Sequence, residues 1–194
     1  PVTTGDSYTV MVAVDAIREA ARVMEIPLSG ATAAVVGATG AIGSVCAELL
    51  AGEVERLVLI GRSREKLEGL RDRLQLKYRS EIVVSLTMDA LAESQLILTV
   101  TSAVHDVIRP EHLQPGSVVC DVARPRDVSA MVASARDDIL VIDGGMVDVP
   151  GPVDFHFNFG FPPGKAYACM AETIALTLEG RFEDYTLGKH LTRE

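Results

Sequence analysis

The chain has 194 residues, 48% apolar and 23% charged, with 18 basic against 27 acidic side chains. That is the balance of an ordinary globular protein with enough chain to bury a core, and no apolar run approaches the ~20 residues that cross a bilayer. The net charge of −9 argues against nucleic acid or an anionic membrane as the main partner, and Cys46, Cys120 and Cys169 have neither CxxC nor metal-ligand spacing, which excludes a disulfide framework or zinc site.

In chain order, residues 8 to 24 read as an amphipathic helix, with Val10, Val14, Ile17 and Ala21 at helical spacing. Asp6 or Ser7 is its expected N-cap. Pro27 and Gly30 break the chain. Thr32 to Val36 is a short buried strand, followed by a glycine-rich turn and a helix from about Ile42 to Leu50. Arg56 to Ile60 is a second apolar strand. Residues 62 to 79 then carry seven basic against three acidic side chains, and from Arg71 onward these form a solvated helix face. Ile82 to Leu86, Leu96 to Thr101, Ser117 to Val122 and Ile139 to Ile142 read as further strands. Shorter helical pieces fall near 89–94, 110–113 and 126–135. Apolar strands alternating with helices predict an α/β fold, a Rossmann-like doubly wound parallel sheet covered on both faces. A preceding helix and a C-terminal helix pack on that sheet. The expected division is a linking helix over 1–30, a Rossmann domain over 31–150, and a C-terminal strand and helix over 151–194.

The glycine turn reads VVGATGAIG, with Gly37, Gly40 and Gly43 between a strand and a helix. Gly37 permits the tight turn, Gly40 a close approach to pyrophosphate, and Gly43 close helix packing. The helix N-terminus over Ala41 and Ile42 offers amides to phosphate. Thr39 sits within the turn. The second strand ends not in an acidic residue, which would bind a ribose 2′-hydroxyl, but in Gly61-Arg62-Ser63-Arg64. Two guanidiniums and no carboxylate favour a 2′-phosphate, hence NADPH. Thr101, Ser102 and Ala103, after the fourth strand, border the cofactor, and Gly144-Gly145 permit another close approach or a plain tight turn.

Residues 154 to 161 read DFHFNFGF, with Phe155, Phe157, Phe159 and Phe161 on alternate positions. This predicts a half-buried strand. Its other face carries Asp154, His156 and Asn158, either solvated or lining a cleft with His156 as proton donor. His105, His112 and His190 have no motif context and read as surface residues. After Pro162-Pro163 a helix is expected from about Gly164 to Leu178, with Cys169 in its first two turns and Lys165 on the same face. Cys169 is either a buried small hydrophobe or a nucleophile activated near a helix start.

The stretches VTTGDSYT, AAVVGATGAIGSVCAELL, LVLIGRSREKL, VIDGGMVDV and AYACMAETIALTLEGRFEDYTLG resemble, in order, the C-terminal part of the long-chain acyl-[acyl-carrier-protein] reductases, which form aldehydes. The Thr-Thr-Gly start and the Ala-Cys-x-Ala-Glu helix are the specific parts. The resemblance implies an NADPH-binding turn at Gly37, Thr39, Gly40 and Gly43, and a covalently acylated nucleophile at Cys169. It implies reduction of an acyl thioester, carried by acyl carrier protein or coenzyme A, to a fatty aldehyde. Ser102 and amides near Gly144 are the expected oxyanion donors. That family has a substrate domain ahead of the Thr-Thr-Gly stretch, so Pro1 reads as an internal start. The alternatives are a shikimate-dehydrogenase-like enzyme with direct hydride transfer, and a non-catalytic NADP-binding module. A cytoplasmic location is expected, and the sequence leaves the oligomeric state open.

Overall fold

The computed structural model describes residues 1–103, 107–187 and 191. The helix α1 runs from Asp6 to Val23 and buries Val10, Ala13, Val14, Ile17 and Ala21. It starts earlier than its apolar stripe suggests. Gly5, in the left-handed region at φ 74°, is the N-cap, so Asp6 and Ser7 lie inside the first turn rather than capping it.

Six strands form one parallel sheet: β1 (Thr32–Val36), β2 (Arg56–Ile60), β3 (Glu81–Ser85), β4 (Leu96–Thr99), β5 (Val118–Asp121) and β6 (Leu140–Asp143). Their spatial order is β3-β2-β1-β4-β5-β6. All five pairings are parallel, with Val36 opposite Ile60 on one side and Thr99 on the other. Every strand therefore ends on the same edge, and the order reverses between β1 and β4, the place where such sheets bind ligands. Short apolar strands buried on both faces suit this arrangement.

One face of the sheet is covered by α1, by α2 (Ala41–Ala51) and by α3 (Arg64–Gln75), whose Leu67, Leu70 and Leu74 point inward. The other face, around Val36, Ile60, Ile97 and Val119, is closed by 3₁₀ turns at Met88–Glu93 and Pro110–His112 and by the short α4 (Ala130–Ala135). The helix expected over 126–135 is thus shorter. Asp127 and Val128 are held by hydrogen bonds to neighbouring strands, and the Ser129 hydroxyl caps α4 through the Met131 amide.

Beyond β6, the chain departs from the sequence reading. β7 (Met146–Asp148) and β8 (Lys165–Tyr167) form an antiparallel hairpin. The Phe-rich run at 154–161 is an exposed loop between them, not a strand. Its alternating rings pack on one another, Phe155 and Phe157 edge-on to Phe159 and Phe159 stacked on Phe161 at 5.4 Å, but prolines at 150, 152, 162 and 163 and left-handed Gly151, Gly160 and Gly164 deny it a ladder. The last helix, α5 (Ala168–Leu178), begins only after β8 has claimed Lys165 to Tyr167. It packs against α1.

Ile17 is fully buried between α1 and the sheet, whereas Leu76 is 89% exposed. Ile17→Ala is expected to lower unfolding free energy by about 2–5 kcal/mol in urea titration, and Leu76→Ala to change it by less than about 0.5 kcal/mol.

Candidate functional site

Two features meet the carboxyl edge of the sheet. The first is a cleft of about 450 Å³ where the strand order reverses. Gly37, Thr39, Gly40, Ala41, Gly61, Arg62, Thr101, Ser102 and Ala103 border it.

The turn is built on backbone contact. Gly37 sits at φ 84°, and a Cβ there would lie 2.7 Å from the Val100 carbonyl oxygen. A Cβ on Gly43 would meet the Gly37 oxygen, so Gly43 seats α2 against the turn rather than bordering the cleft. Gly40 is the N-cap of α2, and no side chain caps this helix. The amides of Ala41, Ile42 and Gly43 are its first three and have no acceptor within the helix. They form a donor cluster of the kind that holds pyrophosphate.

At the end of β2 the cleft presents Arg62 and Lys66, and no carboxylate lines it among the described residues. Ser63 caps α3 through the Lys66 amide at 3.4 Å. Arg64 lies 3.7 Å from Glu68 on the exposed face of that helix. Lys66, which the sequence reading passed over, comes into the cleft because it lies one turn into α3. A glycine cradle, free helix amides and an anion-free, cationic rim fit a phosphorylated dinucleotide.

Asp127 shapes the other wall. Fully buried, it accepts from Thr99 Oγ1 (2.5 Å), Thr101 Oγ1 (2.5 Å) and the Thr101 amide (2.9 Å). Thr101 Oγ1 accepts in turn from the Ala103 amide at 3.0 Å. The residue has no motif in the sequence, yet it fixes the loop along the cleft. Asp121, also buried, accepts from the Ala123 and Val128 amides, and burial pushes its carboxyl above the usual range.

The second feature is the start of α5. Cys169 is the second residue of the helix, nearer its N-terminus than the sequence placed it, and is exposed. Lys165 does not share its face: it lies in β8 and pairs with Asp148 at 2.5 Å. The Ala168 amide donates to the Gly145 oxygen at 2.9 Å, which ties α5 to the end of β6. That point is three strand spacings from β1, about 14 Å along the same edge.

Gly144 and Gly145 form the tight turn between β6 and β7, one of the two roles the sequence allows them. A Cβ at Gly144 would lie 2.3 Å from Cys120 Sγ, so packing accounts for the glycine. Their amides are engaged by the Asp121 oxygen and Asp143 Oδ1, which removes them as oxyanion donors. The free amides nearest the thiol are those of Cys169 and Met170, in the uncapped first turn of α5.

His156 stands on the aromatic loop, 86% exposed and 3.3 Å from Asp154. His112 Nδ1 accepts from the Arg109 amide. His105 and His190 lie outside the described residues.

The Thr-Thr-Gly stretch closes over Cys169. A Cβ on Gly5 would lie 2.3 Å from Cys169 Cα. Beneath the crossing, Glu172 accepts from the Tyr8 amide at 2.8 Å and from the Thr3 hydroxyl. Burial, aided by the charge of Glu172, raises the Asp6 carboxyl above its ordinary value, with a Thr4 hydrogen bond opposing.

The shikimate / quinate 5-dehydrogenase family model matches residues 18–143. The chain belongs to that family. It carries an NAD(P)-binding dehydrogenase/reductase domain, and the match spans the sheet and the glycine turn but stops short of Cys169. Two curated relatives run across nearly the whole chain. Aminotransferase PigE from a Serratia species is 37% identical over 98% of this chain and 23% of its own length. The long-chain acyl-[acyl-carrier-protein] reductase of Synechococcus elongatus is 33% identical over 97% of this chain and 55% of its own. The chain thus spans about a quarter and about half of these proteins.

Among solved structures, glutamyl-tRNA reductase from Methanopyrus kandleri superposes with a TM-score of 0.55 at 28% identity, covering 68% of this chain and 34% of its own. Shikimate 5-dehydrogenase from Listeria monocytogenes, solved with shikimate and NAD, shares the fold with a TM-score of 0.52 at 14% identity, covering 69% of this chain and 52% of its own. Among the described residues, no helix is long and apolar enough to cross a membrane.

The three cysteines differ sharply. Burial pushes the Cys46 thiol up to about 12 and raises that of Cys120 further, while Cys169 is exposed. Brief iodoacetamide treatment of the native protein is expected to label Cys169 alone, with Cys46 and Cys120 modified only after denaturation, as read by peptide mass mapping.

Proposed function

We propose that the protein is an NADPH-dependent reductase that converts a long-chain acyl thioester to an aldehyde through an acyl group held on Cys169. The carrying observation is the exposed thiol at the uncapped N-terminus of α5, tied to the same sheet edge as the dinucleotide cleft. The Synechococcus relative, named for the reduction of a long-chain acyl-[acyl-carrier-protein], supports the substrate class.

In this reading the Cys169 sulfur attacks the thioester carbonyl carbon. A carbon–sulfur bond forms, the carbonyl oxygen becomes an oxyanion, and the carrier thiolate departs as the carbonyl re-forms. The amides of Cys169 and Met170 donate to that oxyanion. The first turn of a helix favours negative charge at both atoms. Gly37, Gly40 and the amides of Ala41 to Gly43 hold the pyrophosphate, and Arg62 and Lys66 pair with the 2′-phosphate. When bound, the reduced nicotinamide supplies hydride. Cys169 then leaves the thiohemiacetal carbon as thiolate, and the aldehyde is freed. Acyl carrier protein is the proposed carrier, with coenzyme A as its small equivalent.

The family match favours a second reading, direct hydride transfer between NADP(H) and a small hydroxy or keto acid with no covalent step. Cys169 separates the two. With palmitoyl-coenzyme A and NADPH, aldehyde formation is expected from the protein and none from Cys169→Ala. Arg62→Ala should raise the KM for NADPH about tenfold or more and leave that for NADH nearly unchanged. Full aldehyde formation by Cys169→Ala would discard the covalent reading.

A further inference from the structure

Glu172 follows Cys169 by one turn of α5 and is only 5% exposed. A buried carboxylate opposes folding unless donors satisfy its oxygens. No salt bridge reaches Glu172 among the described residues. Three uncharged donors do the work instead: the Thr3 hydroxyl, the Thr186 hydroxyl at 3.1 Å and the Tyr8 amide at 2.8 Å. The Tyr8 amide is the third of α1, so a side chain from α5 caps α1 in place of a local residue.

The same network grips the main chain ahead of α1. Thr3 Oγ1, donating to Glu172, accepts from the Gly5 amide (3.2 Å) and the Thr186 amide (3.3 Å). The Thr4 amide donates to the Thr186 oxygen at 3.0 Å. Thr3 to Gly5 is thereby laid across the start of α5, with Gly5 against the Cys169 backbone. The thiol emerges beside a segment that Glu172 holds in place.

We propose that Glu172 is a positioning residue for Cys169. Through Thr3 and the Tyr8 amide it locks the Thr3–Gly5 backbone onto the first turn of α5, and so fixes the direction from which the thiol meets an acyl carbonyl. This rests on the reading of Cys169 as nucleophile. Two kinds of reaction at the same sulfur separate a positioning role from a merely structural one. Loosening the crossing leaves simple alkylation of the exposed thiol near its wild-type rate, while a reaction that needs a fixed approach slows.

The test compares Glu172→Gln, Thr3→Val and Thr3→Ser with the wild type. Two rates at Cys169 are followed by intact mass: carbamidomethylation by iodoacetamide, and acyl transfer from palmitoyl-coenzyme A. Glu172→Gln and Thr3→Val should transfer acyl about tenfold or more slowly at saturating thioester, with carbamidomethylation no slower than about half the wild-type rate. Thr3→Ser, which keeps the hydroxyl, should restore acyl transfer. Wild-type acyl transfer in folded Glu172→Gln and Thr3→Val would overturn the proposal, as would an equal slowing of both reactions. A wild type that iodoacetamide labels but palmitoyl-coenzyme A does not would overturn the nucleophile reading, and this inference with it.

Discussion

At the crossing of Gly5 over Cys169 there is no room for a side chain. A Cβ at position 5 would overlap the Cys169 Cα and Cβ, and the φ of 74° there disfavours any residue with one. The crossing joins chain segments more than 160 residues apart, and Glu172 makes it rigid by capping α1 from α5. Because α1 also buries Ala13, Val14 and Ile17 against the sheet, the position of α5 becomes a property of the whole core. The hairpin of β7 and β8 supplies the other tie, through Gly145 and Ala168. An exposed thiol held on two sides suits a group that must be both reachable and fixed.

The dinucleotide cleft depends on a separate set of constraints. Parallel pairing brings every strand end to one edge, and reversal of order between β1 and β4 opens a crevice there. Gly37 and Gly40 line its near wall, which backbone packing on backbone holds: Gly37 against Val100, and Gly43, behind the wall, against Gly37. The far wall is held by one buried carboxylate, Asp127, which binds three groups of Thr99 and Thr101. Buried carboxylates therefore organise both features, one beneath the thiol and one behind the cleft.

Local pattern was enough for the sheet and the turn. The strands at 32–36 and 56–60 end where their apolar runs end, and the glycine spacing marks the turn between strand and helix. The absence of an acidic residue after β2 was equally plain in Gly61-Arg62. What local pattern missed depends on partners distant in sequence. Alternating phenylalanines resemble a strand, but a strand needs a neighbour, and the prolines and glycines around 154–161 give it none. Lys165 to Tyr167, which the expected last helix included, instead pair with Met146 to Asp148, which moves the helix start to Ala168 and brings Cys169 into the first turn. The pair Gly144-Gly145 reads equally as a ligand contact or a tight turn, and only the distant Cys120, against which Gly144 packs, decides for the turn. Glu172 and Asp127 could not be singled out, because their roles lie entirely in donors supplied from elsewhere in the chain.

The covalent acyl group on Cys169 is the central claim, and a single turnover tests it most directly. The protein is loaded with palmitoyl-coenzyme A in the absence of reductant and freed of excess thioester, and NADPH is then added. The account predicts one palmitoyl group per chain, mapped to Cys169, and its loss on adding NADPH in step with an equal amount of aldehyde. Aldehyde released while Cys169 remains unacylated, or a palmitoyl adduct on Cys169 that persists in the presence of bound NADPH, would contradict it.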